Sequence, residues 1–555
     1  MHEIIYKHAL RNASEYGKAN VNAVLGKVLA EAPELRDKVK EIIPEVRRIV
    51  DIVNSMPKDK IEEEIKKFRF IKIEKKKVEL PDLKVKNKVI LRFAPNPSGP
   101  LHIGHARAAI LNDEYAKKYN GRLILRLEDT DPNRVYPPAY EMIPEDLEWL
   151  DVKVHETKFQ SDRLEIYYEY AKKLLELGRA YVCVCSQEDF KKFREAKKSC
   201  RCRGLSIEEN LERFDLMFTE FGEGEAVVRL KTGMELKDPS MRDFPILRIC
   251  ETPHPRVGNR KVYPLYNFAV AVDDHLMGIT HVLRGKDHIV NTIKQGFIYD
   301  YFCWEKPEFI HYGRMSIGGV TLSTSKIKKG IERGEYSGWD DIRLGTLRAL
   351  AKRGINPDAI RKAMLEMGVK EVDVNFSWEN LYAHNKEILD PLANRYFFVW
   401  EPKQLIVRNC REFIASPPLH PNFPERGRRK IKITTLNGEA SLFISSSDAE
   451  ELNEGEFVRL MEAFNIIIKK KNEKILSEYH SEDLKEARKR KAKLIHWISE
   501  EYVDVIVITP KGKVEGYGEI GLKELDEGSI VQFERFGFVR IDRINNKVVA
   551  YFAHK

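Results

Sequence analysis

His102 and His105 stand three residues apart in Leu101-His102-Ile103-Gly104-His105. On a helix that spacing puts two imidazoles on one face. The pair follows a turn rich in breakers, Pro95-Asn96-Pro97-Ser98-Gly99-Pro100, and opens a stretch with helical apolar spacing. It therefore falls at a helix N-terminus, where free backbone N–H groups and a partial positive charge favour phosphate. Gly104 removes a Cβ where a nucleotide would approach the backbone. Two imidazoles there can donate to charge that builds in a transition state. Two histidines at this spacing also suit a metal pair or plain surface; the strand, loop and helix around them favour the nucleotide.

A second cluster is Cys183-Val184-Cys185 and, after fourteen intervening residues, Cys200-Arg201-Cys202. Two such pairs can close a tetrahedral zinc site of four thiolates. Lys191, Lys192, Lys197 and Lys198 between them would offset its charge. The alternative is four reduced, incidental thiols. Seven cysteines in 555 residues do not make a disulfide scaffold.

These groups need elements to hold them. Residues 89–94 form a short apolar run, as in a buried parallel strand. Residues 101–119 read as a helix with Ala108, Leu111 and Tyr115 on one face, ended by Asn120-Gly121. A second strand, 123–127, runs into Glu128-Asp129. Strand, loop, helix, strand opens a doubly wound α/β domain with a parallel sheet, whose ligands sit at the carboxyl ends of the strands. That rule puts segment 95–105 beside Glu128.

Composition sets the frame. The chain is 43% hydrophobic and 33% charged, with 95 basic and 86 acidic residues and a net charge of +9. That excess is compatible with a nucleic-acid partner without requiring one. No apolar run is long enough to span a bilayer, and the N-terminus lacks a signal-peptide pattern, so a cytoplasmic protein is expected.

The segments 92–105, 126–132, 263–269 and 278–285 together resemble the signatures of the glutamyl/glutaminyl branch of class I aminoacyl-tRNA synthetases, in the archaeal form. The resemblance implies an ATP site of Pro95, Gly99, His102, Gly104, His105, Leu322, Ser323 and Lys326, with His102, His105 and Lys326 catalytic and Mg²⁺ accompanying ATP. Its second signature, a flexible Lys-Met-Ser-Lys-Ser loop, matches Thr321-Leu322-Ser323-Thr324-Ser325. Here Thr324 replaces the second lysine, and Lys326 is the nearest cation. The chemistry needs a mobile cation as pyrophosphate leaves. A solvated loop lysine is the alternative. Gly318-Gly319 fits a loop that moves.

The resemblance also implies an amino-acid pocket of Arg92, Glu128, Tyr266 and Arg284. Glu128 would take the ammonium, and the arginines would clamp a side-chain carboxylate with planar, permanently charged forks. In the similar glutaminyl enzymes the position of Arg284 is a small uncharged residue. A buried arginine facing a neutral amide costs affinity, so glutamate is expected, with tRNA-Glu as acceptor; whether tRNA-Gln is charged as well depends on tolerance at the third anticodon base. The competing reading of Arg284 pairs it structurally with Asp273 or Asp274. A glutaminyl-tRNA synthetase and a tRNA-independent nucleotidyltransferase are the rival functions. The latter leaves the 321–326 loop and the cysteine insertion unexplained.

The expected organisation is multidomain. A helical extension covers 1–86, where Val21, Val24, Leu25, Val28 and Leu29 recur at helical spacing and residues 58–77 are dense in Lys and Glu. A catalytic domain covers 87–330, with an acceptor-arm insertion at about 183–262. A helical connecting domain covers 331–399. All-β barrels for anticodon binding cover 400–555, where short strands alternate with turns. Runs at Arg426, Arg428, Arg429 and Lys430 and at 485–493 could meet phosphates. A monomer is expected.

Overall fold

The computed structural model describes residues 2–32, 35, 39–65, 67–68, 79–86 and 88–555. The chain divides into two compact units, Met1–Lys77 and Val78–Lys555. In the first, α1 (His2–Tyr16), α2 (Val21–Glu31), α3 (Val39–Asn54) and α4 (Lys58–Ile65) enclose a small core. Val24 and Val28 from the apolar stripe enter it with Ile5, Leu10, Val46 and Val50. Within the Lys/Glu-dense stretch, residues 66 and 69–77 lie outside the described residues. Residues 79–86 pack in the second unit: Leu80 and Leu83 join its core, and Leu83 N donates to Tyr119 Oη at 2.8 Å.

The second unit begins with β1 (Ile90–Phe93), α5 (Ile103–Lys118), β2 (Arg122–Leu127) and β3 (Glu156–Phe159). The three strands are parallel, with Leu91 opposite Leu123 and Leu125 opposite Thr157. Asn120, not Gly121, takes the left-handed turn after α5, at φ 46°. Gly121 answers a different need, since a Cβ there would fall 2.5 Å from Val89 O as the chain enters β2. A second parallel pair, β4 (His281–Gly285) and β5 (Glu308–Tyr312), joins the other edge of β1 at Thr280. Thr280 N donates to Ile90 O at 3.0 Å, and Ile90 N to Thr280 Oγ1 at 2.9 Å. The order β3-β2-β1-β4-β5 is doubly wound, and its switch point lies between β1 and β4. A four-stranded antiparallel sheet, Ala180–Cys183 to Val262–Pro264, is inserted between the halves.

Three helices follow, α6 (Leu347–Arg353), α7 (Pro357–Met367) and α8 (Trp378–Leu389). α7 packs on α5, so α5 is buried on nearly all sides. The rest of the chain is two curled sheets. In the seven-stranded sheet the edge strands are Asn394–Tyr396 and Phe398–Trp400, separated in sequence by Phe397 alone. A sheet whose two edges are neighbours in the chain curls into a near-closed barrel, which brings its edges together. These short strands lie before residue 400, yet they pair with strands between Tyr502 and His554. The six-stranded sheet closes through Phe443 and Ile498, which exchange backbone bonds of 2.8 and 2.9 Å.

Within the basic run at 426–430, Arg426 and Arg429 are taken up by protein, while Arg428 and Lys430 are exposed. Arg429 is buried and pairs with Glu519 and with Glu534 (3.0 Å), and Arg426 donates to Pro391 O at 2.5 Å. Arg429 thus ties the strands of one barrel to the other. Removing one partner of a buried ion pair strands the remaining charge. Arg429→Met should cost about 3 kcal/mol, read as an earlier barrel transition in scanning calorimetry.

Candidate active site and cysteine cluster

Segment 95–105 and the end of β2 lie side by side. Glu128 N donates to Pro95 O at 3.0 Å, and Asn96 Nδ2 to Glu128 O at 2.8 Å. His102 is the N-cap of α5: its Nδ1 accepts from Gly104 N at 3.0 Å, and His105 Nδ1 lies 3.3 Å from His102 N. The two rings stack, with centroids 3.8 Å apart. Gly104 serves this fold-back, because a Cβ there would sit 2.8 Å from His102 Cε1. Both Nδ1 atoms face backbone N–H groups, so the neutral rings carry their protons on Nε2. Burial lowers the pKa of His102 to about 4, and that of His105 well below its ordinary value. Two neutral Nε2–H donors therefore stand at the helix terminus.

The second signature packs against this turn. Thr324 opens a helix, Thr324–Glu332, and its Oγ1 lies 3.3 Å from Ser98 Oγ. A Cβ on Gly99 would come within 3.2 Å of Thr324 Cγ2 and 3.0 Å of Trp339. Gly345 spans both signatures: its O accepts from Ile103 N at 2.9 Å, and a Cβ would strike Leu322 at 2.5 Å. Leu322 is partly buried, Ser323 is exposed with its Oγ 3.1 Å from Ser325 Oγ, and Lys326 is exposed. Arg107, one turn along α5, anchors the base of the loop by donating to Gly313 O at 2.8 Å.

Beside the switch point lies a buried charge cluster. Arg126 Nη1 donates to Asp274 Oδ1 at 2.6 Å and its Nη2 to Glu128 Oε1 at 3.1 Å. Arg92 Nε lies 3.4 Å from the same Asp274 oxygen. Burial raises the Glu128 pKa, opposed by Arg126 and Arg92. Tyr266 is partly buried beside Glu128, Arg284 and Arg92, and desolvation raises its pKa.

Arg284 differs from its neighbours. Its Nη2 donates to Thr292 Oγ1 at 2.5 Å and Gln295 Oε1 at 3.0 Å, and its plane lies over Phe309. Its Nε and Nη1 are buried without a partner. Asp273 binds Arg163 (2.8 Å), Gln160 and Tyr167, while Asp274 binds Arg126. Among the described residues, Arg284 has no carboxylate partner. Burial lowers its pKa, and the nearby Arg92 charge adds to that. The sequence reading gave no role to Arg126, Thr292 or Gln295, and it offered Asp274 only as a partner of Arg284, whereas Asp274 binds Arg126. The two acids in Val272-Asp273-Asp274-His275, on an otherwise apolar helix, are the signal that could have found the core of this cluster.

The four cysteines converge. Their Sγ atoms all lie within 4.8 Å of one another, with Cys183–Cys200 at 4.0 Å and Cys185–Cys202 at 3.9 Å. Tetrahedral zinc with bonds of ~2.3 Å spaces its sulfurs by ~3.8 Å, so the set fits that ion. Arg213 Nη1 approaches Cys202 Sγ at 3.6 Å. Lys192, by contrast, engages Glu188 and Asp189 on its own helix. Arginine, rather than the intervening lysines, touches the thiols.

A doubly wound domain with a phosphate-ready helix terminus, followed by two barrel-like sheets, defines a nucleotide-using enzyme with an appended recognition module. The comparisons resolve which. Residues 88–391 match the catalytic domain of the class I tRNA synthetases (E and Q), and residues 393–484 and 494–542 match two anticodon-binding domains of the same group. The chain belongs to this family. It is 54% identical to a glutamate–tRNA ligase of Methanocaldococcus jannaschii, 50% to one of Methanococcus maripaludis and 49% to one of Pyrococcus horikoshii. These alignments cover all of this chain and 99–100% of each relative. Among the described residues no helix is long and apolar enough to cross a membrane.

The tautomer of His102 can be read by ¹⁵N NMR. His102 should keep Nδ1 unprotonated from pH 8 to pH 5, titrating only near its lowered pKa of about 4. An unfolded histidine titrates near pH 6.5. The unfolded chain therefore binds more protons between these values, and the contribution of His102 to stability falls as pH drops through that window.

Proposed function

We propose that this chain is a glutamate–tRNA ligase that activates glutamate with ATP and transfers it to the terminal adenosine of tRNA-Glu. The observation that carries the choice of glutamate is Arg284, buried, flanked by Arg92 and without a protein carboxylate. A ligand carboxylate completes its hydrogen bonds; a neutral amide leaves a buried cation uncompensated.

In this reading the free edge of Glu128 takes the substrate ammonium, and Arg92, Arg284 and Tyr266 hold the side-chain carboxylate. The α-carboxylate is ionised at neutral pH and attacks the α-phosphorus without a general base. Pro95, Gly99, Gly104, Leu322 and Ser323 line the nucleotide. His102 and His105 donate Nε2–H to the phosphoryl oxygens as charge builds, which needs neutral imidazoles. Lys326 approaches as the loop moves about Gly318-Gly319. Mg²⁺, entering with ATP, supplies charge neutralisation on the phosphates. A ribose hydroxyl of the tRNA then takes the acyl group. Cys183, Cys185, Cys200 and Cys202 hold a structural Zn²⁺. The enzyme works as a cytoplasmic monomer.

With tRNA present, glutamate should support ATP–pyrophosphate exchange and glutamine should not; exchange with glutamine alone would overturn the assignment. Arg284→Cys should lower kcat/KM for glutamate by roughly 10²-fold, chiefly through KM. For the cysteine site, elemental analysis should find one zinc per chain, lost in the Cys185→Ser, Cys202→Ser double variant. Chelation should lower the melting temperature of the parent protein alone.

A further inference from the structure

A buried arginine is usually held by a carboxylate, which fixes the side chain and cancels its charge together. Arg284 is held another way. It stands on β4 in register with His311 on β5, and the helix Ile289–Tyr301 follows the strand. Thr292 and Gln295 of that helix are three residues apart and so share a face. Both accept from one nitrogen, Arg284 Nη2: Thr292 Oγ1 at 2.5 Å and Gln295 Oε1 at 3.0 Å. Nη2 carries two protons, and these two acceptors use both. The Phe309 ring packs against the guanidinium face, with its centroid 4.9 Å from the central carbon. Nε and Nη1 are the donors left without a partner.

Each acceptor is itself fixed. The Thr292 hydroxyl donates to His288 O at 3.2 Å, and its oxygen lies 2.8 Å from His311 Nε2. A hydroxyl has one proton and two lone pairs. With its proton on His288 O, the lone pairs are left for Arg284 and for an Nε2–H of His311. Gln295 is buried, and its Nε2 donates to Asn267 Oδ1 at 3.3 Å, which turns Oε1 toward Arg284. Neither acceptor carries a negative charge. A carboxylate at either place would also grip Arg284, but the positive charge would then be cancelled inside the protein. A hydroxyl and an amide fix the position and leave the charge whole.

We infer that Thr292 and Gln295 are positioning residues that set the preference for glutamate, because they hold Arg284 through neutral acceptors and leave its charge for the substrate carboxylate. Arg284 supplies the cation, and the face of the neighbouring helix decides that this cation is both in place and unspent. A long arginine side chain has many rotamers to lose. Without Thr292 the ligand itself must order it, and affinity falls with no change in the chemistry that follows. With a carboxylate at 295 the arginine is ordered but no longer needs an anionic ligand. The inference rests on the proposed ligase activity, which supplies the readout.

The test is ATP–pyrophosphate exchange by the full-length protein with tRNA present. Thr292→Val keeps the size of the side chain and removes the acceptor. It should raise KM for glutamate about three- to ten-fold, the worth of one hydrogen bond, with kcat unchanged. Thr292→Ser should restore the parent value. In the Arg284→Cys background Thr292→Val should add nothing, since it acts through that arginine. Gln295→Glu keeps shape and acceptor but adds charge. It should raise KM for glutamate roughly 10²-fold, as loss of the arginine does, and lower the Ki of glutamine as a competitor. KM for ATP should be unchanged throughout. An unchanged KM for glutamate in Thr292→Val or Gln295→Glu would overturn the inference. So would failure of Thr292→Ser to restore it, a further loss in the Arg284→Cys background, a glutamine Ki that rises with KM, or a matching rise in KM for ATP. Absence of exchange with either amino acid in the parent would instead remove the functional reading beneath it.

Discussion

The guanidinium of Arg126 is the interaction on which the pocket depends. It is sealed from solvent, and burial alone would weaken its charged form. Asp274, Glu128 and Asp273 outweigh that, holding its pKa well above the ordinary arginine value. Arg126 projects from β2, while Asp273 and Asp274 come from the helix Tyr266–Leu276. One side chain therefore fixes the two sides of the switch point relative to each other. It also presents Glu128 in a defined orientation, and through Asp274 it shares a carboxylate with Arg92. A buried cation with three anions within 4 Å is costly to disturb at any one of them.

A second constraint is steric and explains how the two signatures meet. Gly99 and Gly345 stand where the turn before α5 and the later loop touch: a Cβ on Gly345 would strike Leu322, and one on Gly99 would crowd Trp339 and Thr324. Thr324 fills the space above Gly99 and faces Ser98. A lysine at that position would have to leave this contact to reach solvent or phosphate. The departure from the usual signature thus has a local reason: Thr324 seals the junction, and the nearest free cation moves to Lys326, exposed in the first turn of the helix that Thr324 opens. The cation stands off the junction rather than inside it, consistent with a loop that moves during catalysis.

The parts legible in the sequence were those encoded locally. A breaker-rich turn followed by helical spacing marks the N-terminus of α5, and Cys-x-Cys pairs mark a thiolate cluster, because each needs only neighbours in the chain. The charge cluster was not legible beyond Arg92, Glu128 and Arg284. Arg126 meets Asp274 across 148 residues, and nothing near either one announces the partner. The barrel edges failed for a related reason. Asn394–Tyr396 and Phe398–Trp400 are three residues each, too short for alternation to declare itself, and their identity comes from partners more than a hundred residues later. The run at 426–430 shows the limit of charge counting. Arg429 looks like a surface cation in sequence, and only Glu519 and Glu534, supplied by the other barrel, reveal it as buried.

The balance of buried charge gives the amino-acid preference a basis wider than one residue. Around the proposed pocket stand four guanidiniums, Arg92, Arg126, Arg163 and Arg284, and three carboxylates, Glu128, Asp273 and Asp274. One positive charge is left over, and the partnerless Nε and Nη1 of Arg284 show where it resides. Glutamate, with one ammonium and two carboxylates, carries one net negative charge and neutralises the set. Glutamine carries none. It would leave the excess cation in a dry pocket, where charge is stabilised by partners rather than water. The neighbouring histidines do not blur this balance, since burial lowers the pKa values of both His288 and His311 and favours their neutral forms. Discrimination therefore belongs to the whole cluster. A substitution at Arg284 alone removes the unpaired cation, but Arg92 remains tied to Asp274 and still presents a charge, so turning such a pocket toward an amide requires rebuilding the balance and not a single exchange.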